Sequence, residues 1–458
     1  MKKIISTNPA KNYEIIGEVD VSSDEEIIQK VALANKAKLK WKELGVKKRI
    51  EILAPLYGKF EAKKDEFAAL ITKEMGKPIT QSKGEVQEVV SDIKWFLENG
   101  EKALSNEITY EDKESLHQIV YEPFGVAAVI TPWNYPLDMF VWGGIPNLIA
   151  GNTVVYKISE ECPLVGKLIE EVMSSGNLPE GVFAEIYGGG DIGRKLATSD
   201  VDLIWFTGST LAGKDLYKIA AEKFIKAILE MGGSSPAVLF EDIDLVNVIP
   251  EIYAERFSNC GQVCDATKRL IVHESIYHEV VEKLEKEIQK KTVGDPDDEK
   301  TDLGSLVAER QLKLIKEQVE DAKEKGAKVI HVGQIPENLK GAFYVPTLLT
   351  NVDRNMRVWK EEVFGPVLPI MSFKTEEEAI ALANDTVYGL GSRIYSKDLN
   401  CAKRVASKID AGTVEINNVS RWLHCNPFGG FKNSGMGREH GTVGFRELCQ
   451  IKVIAMQK

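Results

Sequence analysis

Gly125-Val-Ala-Ala-Val-Ile-Thr131 and Gly151-Asn-Thr-Val-Val-Tyr-Lys157 are short apolar runs, each closed by a polar residue. Similar runs follow at Phe183–Tyr187, Asp202–Phe206 and Ala227–Leu229, with helical stretches such as Pro163–Ser174 and Leu211–Lys223 between them. Buried strands alternating with helices imply βαβ units and a parallel sheet. Such a sheet binds its ligands at the carboxyl ends of its strands. A second α/β stretch runs from Gly232 to about Gly430. Upstream, Ser23-Asp24-Glu25-Glu26 reads as a capping box that opens a run of charged helices reaching about Leu104. Ile108–Val120, closed by Tyr121-Glu122-Pro123, reads as an exposed hairpin, and Gln450–Met456 as a further strand.

At roughly 150 residues per domain, 458 residues suggest about three domains. Hydrophobic residues at 43% and charged residues at 28% are ordinary globular composition and exclude a disordered chain or a collagen-like repeat. The net charge of −11 argues against nucleic acid as a partner. Six cysteines are too few for a disulfide framework at this length, which points to a reducing cytosol. No apolar run reaches the roughly 20 residues of a membrane helix. The basic start Met1-Lys2-Lys3-Ile4-Ile5 lacks the apolar core of a signal peptide, so a cytoplasmic protein is expected.

Gly188-Gly-Gly-Asp-Ile-Gly193 matches GxGxxG between a strand and a helix. No acidic residue sits at a strand end about 20 positions on to hold a ribose, and a plain tight turn explains the match equally well. Phe206-Thr-Gly-Ser-Thr210 offers backbone N–H groups at another helix start, which suits a pyrophosphate. Lys157 and Glu160 follow a third strand and could meet an adenosine ribose. Each feature alone is ordinary surface; together they favour a dinucleotide.

Cys260 and Cys264 are four apart, but no second ligand pair accompanies them, so no metal is expected. A cysteine is most often a small buried hydrophobe. Cys264, however, follows Gly261-Gln262 in what reads as a loop entering a helix, where a thiolate would be stabilised. Glu230 ends an apolar run before Met231-Gly-Gly-Ser234 and is a candidate general base, or else an ion-paired strand-end charge.

Seven segments occur in the order seen in the aldehyde dehydrogenase superfamily, which the chain resembles over nearly its whole length. They are Thr131-Pro-Trp-Asn-Tyr-Pro136, Gly151–Glu160, Phe206-Thr-Gly-Ser209, Leu229–Pro236, Gly261-Gln-Val-Cys264, Glu361–Pro366 and Pro427-Phe-Gly-Gly430. The resemblance implies NAD(P)-dependent oxidation of an aldehyde to an acid. Cys264 would be the nucleophile, with Asn134 and the Cys264 N–H as oxyanion donors and Glu230 as the base that activates water. Lys157 and Glu160 would meet the adenosine ribose, Gly208 and Ser209 the pyrophosphate, and Glu362 the nicotinamide ribose, with Phe364 and Trp133 beside the ring. Glu160 would accept from a free 2′-hydroxyl and repel a 2′-phosphate, which favours NAD over NADP.

The implied fold is a Rossmann-like cofactor domain (1–106 and 124–231), a catalytic α/β domain (232–438) and a β-arm for oligomerisation (107–123 and 439–458). A homodimer or homotetramer follows, in keeping with exposed hairpin edges that need a partner.

The chain looks most like the compact succinate-semialdehyde dehydrogenase branch, but Trp142 stands where that branch usually carries an arginine. A buried carboxylate without a partner is costly, which counts against a dicarboxylic semialdehyde. The expected tunnel of Tyr135, Met139, Trp142, Trp422 and Phe428 suits an uncharged small or medium aldehyde. Arg421 and His424 could instead bind an anionic or hydroxylated one, such as succinate semialdehyde, glyceraldehyde or lactaldehyde. Arg421 could equally form an ion pair at a subunit interface. Glu230 argues against a CoA-acylating enzyme. A cysteine hydrolase (thioesterase or esterase) would leave Lys157, Ser209 and Glu362 without a role, and a non-catalytic protein would not need Cys264, Glu230 and Asn134 together.

Overall fold

Two mostly parallel sheets contribute residues to one cleft. The computed structural model describes residues 2–458. In the first sheet the strands run Lys226–Glu230, Leu203–Thr207, Val126–Ile130, Thr153–Lys157, Phe183–Ile186, all parallel. The order reverses on either side of Val126–Ile130, so the crevice for a ligand opens at the carboxyl ends beside that strand. A two-residue strand, Gly435–Met436, adds antiparallel to Lys226–Glu230 and brings the C-terminal segment to the site.

The second sheet runs Lys328–His331, Thr347–Thr350, Val367–Phe373, Thr267–His273, Ser235–Leu239, Gly391–Tyr395, Thr413–Ile416, parallel except at its first edge. Here the amino ends face the cleft. Gly232 precedes Ser235–Leu239, Cys264 precedes Thr267–His273, and Glu362 and Phe364 precede Val367–Phe373; all four line it.

Both sheets are apolar on both faces, as strands covered by helices must be. Val126–Ile130 and Thr153–Lys157 are buried at every position. Four helices, from Asp24–Glu43 to Ile79–Ala103, pack on the first sheet. Ser23 caps the first of them, its hydroxyl accepting from the Glu26 N–H at 3.2 Å, and Asp24, Glu25 and Glu26 oppose the helix dipole there.

The hairpin Glu107–Glu111/Ser115–Pro123 pairs with Cys449–Gln457 in a separate three-stranded antiparallel sheet. It leaves Ile108, Tyr110, Ile451 and Val453 exposed. Among the described residues no helix is long and apolar enough to cross a membrane.

Candidate active site

Pro136 fixes the first turn of the helix Pro136–Ala150, which starts directly beyond the central strand. Tyr135, Asp138, Met139 and Trp142 fall at i, i+3, i+4 and i+7, so they share one face. That face lines a cleft of about 970 Å³. Glu85, Glu88 and Asp92 repeat the same spacing on Ile79–Ala103 and line it from another wall. Every site residue expected from the sequence borders this cleft except Lys157 and Glu160, which sit at the neighbouring strand end.

Cys264 departs from expectation. It follows a 3-10 turn at Ser258–Gly261, in which Asn259 (φ 51°) and Cys260 (φ 55°) are left-handed, and it leads into a strand rather than a helix. No helix N-terminus therefore supports a thiolate. Burial pushes the Cys264 thiol up to about 12, opposed first by Lys268. Cys260 and Cys264 do not share a helix face either, and the Cys260 thiol contacts the Gly304 carbonyl at 3.6 Å. The Cys264 carbonyl runs so close to Gly233 that a Cβ there would lie 2.6 Å from its oxygen.

Asn134 is held from both sides. Its carbonyl accepts from Lys77 Nζ and Asn259 Nδ2, each at 2.9 Å, and its own amide donates to the Gln262 carbonyl at 3.1 Å. An amide nitrogen carries two hydrogens, so one remains for an oxyanion.

Glu230 is 2% exposed and neither carboxyl oxygen has a hydrogen-bond partner among the described residues. Burial, then the neighbouring Glu439, hold it well above the usual carboxylate range. Glu439, absent from the sequence reading, is pushed up to about 8 by burial, with the Thr207 hydroxyl donating to it at 3.5 Å.

The cofactor side offers donors of the right kinds. Ser209 caps Thr210–Lys223, and its hydroxyl accepts from the Ala212 N–H at 3.3 Å, leaving the first-turn N–H groups for an anion. Gly208 is required because a Cβ would meet the Phe206 ring at 2.5 Å. Lys157 is buried with its ammonium 3.2 Å from half-exposed Glu160, and burial lowers it below its ordinary range. Trp133 and Phe364 stand edge to face, 5.5 Å between centroids. These residues fit a dinucleotide: N–H groups for phosphates, a lysine and a carboxylate for sugar hydroxyls, aromatic walls for a flat ring.

Arg421 is engaged within the chain. Its guanidinium is buried, paired with Asp265 and, at 3.0 Å, with Glu415, and stacked 4.8 Å over Trp422. His424 is also engaged, its Nδ1 lying 2.7 Å from Asp92 and its Nε2 3.2 Å from Ser91 Oγ. The hydrogen bond to Asp92 raises His424 above the usual imidazole range. Trp142 donates to the other Asp92 oxygen at 2.8 Å and packs edge-on against His440. Trp422 stacks on Phe428, so the aromatic lining exists. The carboxylates around it were not foreseen. Glu85 is paired with Lys77. Asp138 is buried, has an oxygen without a partner, and is held well above the usual range by burial and by Asp92, Glu85 and Glu88.

Comparison with known proteins accords with this geometry. A family model described as "Aldehyde dehydrogenase family" matches residues 1–454. The chain is 38% identical to aminoaldehyde dehydrogenase 1 of Pisum sativum, over 99% of this chain and 92% of that one. It is 35% identical to the NADP(+) succinate-semialdehyde dehydrogenase of Escherichia coli K12, over 98% and 93%. The crystal structure of a Staphylococcus aureus betaine aldehyde dehydrogenase in complex with NAD+ superposes with a TM-score of 0.94 at 32% identity, covering 99% of this chain and 91% of that one. The chain belongs to the aldehyde dehydrogenase family and is an NAD(P)-dependent oxidoreductase acting on aldehydes.

Proposed function

We propose that Cys264 is the nucleophile of this reaction, Glu230 its hydrolytic base and Asn134 its oxyanion donor. The Cys264 thiolate adds to the aldehyde carbon, and the resulting oxyanion accepts from Asn134 Nδ2 and the Cys264 N–H. The nicotinamide cofactor, when bound, accepts the hydride. What remains on Cys264 is a thioester, and Glu230 takes a proton from the water that attacks it, which releases the acid and restores the thiolate. Lys157, Glu160, Gly208, Ser209, Glu362, Phe364 and Trp133 are the cofactor contacts, and Glu160 favours NAD over NADP.

The substrate carries a positive charge at the end remote from its carbonyl. The observation that carries this is Asp138, a buried carboxyl that borders the tunnel and has one oxygen without a hydrogen-bond partner. Glu88 and Asp92 stand near it, while the Arg421 guanidinium has the Asp265 and Glu415 carboxylates beside it. A buried unpaired carboxyl is costly and an incoming ammonium relieves the cost. Trp142, Trp422 and Phe428 add ring faces to which a cation is attracted.

The test compares kcat/KM for 4-aminobutanal, butanal and succinate semialdehyde, each with NAD and NADP. The expected order is the amino aldehyde first, butanal second and succinate semialdehyde last, with NAD preferred. Asp138→Asn should lower the amino-aldehyde value by about 10-fold, an ion pair's share, and leave butanal within about twofold. A lead for succinate semialdehyde or for NADP refutes the corresponding half of the reading.

We infer further that the chain assembles as a homodimer or homotetramer through residues 107–123 and 439–458, with cofactor-binding (1–106 and 124–231) and catalytic (232–438) domains. The exposed Ile108, Tyr110, Ile451 and Val453 on a three-stranded sheet support this. Light scattering should give two or four times the chain mass of 50.9 kDa, and a monomer at micromolar concentration would refute it.

A further inference from the structure

The cysteines gave no reason to expect a metal, but a different set of ligand types meets at the tunnel. Glu88 and Asp92 are four apart on the helix Ile79–Ala103, so their carboxylates share one face. His424 reaches them from the loop after the strand Thr413–Ile416. Its Nδ1 lies 2.7 Å from an Asp92 oxygen and 3.9 Å from a Glu88 oxygen. One ligand atom from each of the three residues lies within 4.8 Å of the other two. Two carboxylates and an imidazole are a donor set for zinc-like divalent cations. Ligands about 2 Å from a tetrahedral ion stand about 3.4 Å apart, which falls between the two distances from Nδ1.

The trio is held from outside. His424 Nε2 lies 3.2 Å from Ser91 Oγ, which fixes the ring and leaves Nδ1 to the carboxylates. The other Asp92 oxygen accepts from the Trp142 indole N–H at 2.8 Å. Outer partners of this kind orient metal ligands. Asp92 is buried, while the Glu88 side chain is 58% exposed and opens the site to solvent.

Two further groups call for a ligand. Asp138, one turn before Trp142 on the same helix face, is 7% exposed, and its Oδ1 has no hydrogen-bond partner among the described residues. His440 packs edge-on against Trp142, 4.1 Å between centroids, and is 9% exposed with its Nε2 likewise unpartnered. Both border the same cleft, and Asp92 is the charged group that acts most strongly on each. Buried polar atoms without partners are rare in folded proteins. Lys77, the cation that acts on Asp138, is already paired with Glu85.

We propose that Glu88, Asp92 and His424 form a site for a divalent transition-metal cation such as zinc(II), and that the bound ion closes the tunnel to aldehydes. The ion takes His424 Nδ1 and one oxygen from each carboxylate, and water completes its shell. No substrate bond is made or broken; the ion acts by filling the place through which the aldehyde passes. The site stands whichever aldehyde is oxidised, and the closure rests on the tunnel assigned above.

The test is isothermal titration calorimetry of zinc(II) into the full chain carrying Cys264→Ala, so that the proposed nucleophile cannot bind the metal. One ion per chain should bind. Adding Glu88→Gln or His424→Gln should weaken binding by about tenfold or more. Adding Cys425→Ser, which removes the exposed thiol next to His424, should change it by less than about twofold. With Cys264 intact, zinc(II) should raise KM for butanal at constant kcat, and Glu88→Gln and His424→Gln should raise the inhibition constant about tenfold.

An affinity unmoved by Glu88→Gln and His424→Gln overturns the site. If His424→Gln does not fold, exposed Glu88→Gln decides alone. Loss of binding in Cys425→Ser overturns it too, by giving the metal to that thiol. Zinc(II) that binds as expected but leaves the butanal KM unchanged overturns the closure. Failure of the positively charged substrate looks different: butanal would outpace 4-aminobutanal in zinc-free assays, with zinc affinity unmoved.

Discussion

Cys264→Ala is expected to abolish aldehyde oxidation, lowering kcat by about 10⁴-fold or more, while NAD binding persists. The side chain supplies the only atom that becomes bonded to the substrate, so nothing partial remains when it is removed. The other cysteine in the loop cannot take over. Cys260 is fully buried and its thiol is turned to the Gly304 carbonyl, away from the cleft. The substitution removes one sulfur from a side chain that borders the cleft, so the fold and the dinucleotide loops are undisturbed. Cofactor reduction and NAD affinity measured on the same preparation check both halves, and substantial residual turnover would move the nucleophile elsewhere.

Glu230→Gln is expected to lower steady-state turnover by about 10²–10⁴-fold, the usual worth of a general base. A first turnover of reduced cofactor should survive, because the thioester forms before the base is needed. Rapid-mixing experiments should therefore show a burst of one equivalent followed by a stall, and an unchanged steady-state rate would reassign the base.

The pH dependence follows from the same geometry. Glu230 and Glu439 are both buried and both raised, Glu439 to about 8, so their titrations are linked. A base acts only when ionised, and raised carboxyls ionise as pH rises. Turnover should thus climb as pH rises above the usual carboxylate range and fall away on the acid side. Glu439→Gln removes a like charge from beside Glu230 and should move that limb to lower pH. A limb that stays in place would show that Glu439 does not act on Glu230.

The chemistry was legible where it is carried by local words in the chain. The dinucleotide loops follow strand ends, and a strand end is visible as an apolar run closed by Gly, Ser or Lys. The acidic wall was legible in principle. Asp138 sits at i+3 between Tyr135 and Trp142, and Glu85, Glu88 and Asp92 repeat the helical period. The reading of that face took its aromatic positions and left out the carboxylate beside them. The expected helix after Cys264 failed because a left-handed turn at Asn259 and Cys260 precedes it and the chain enters a strand; Asn tolerates that conformation, but Cys260 gives no such signal.

The sequence by itself determined the alternation of strands and helices, the glycines that let backbones approach one another, and the choice of Cys264, Glu230 and Asn134 as the proposed reacting groups. These are local matters of periodicity, side-chain volume and chemical type. Only the tertiary structure decided which charges are matched. Asp265 and Glu415 come to lie beside Arg421, and Glu362 beside Lys268, only in the folded chain. Glu439 joins Glu230 because a two-residue strand carries it across from the far end of the chain. Electrostatic energy depends on distance and burial, and residues that are far apart in sequence acquire both only when the chain is folded.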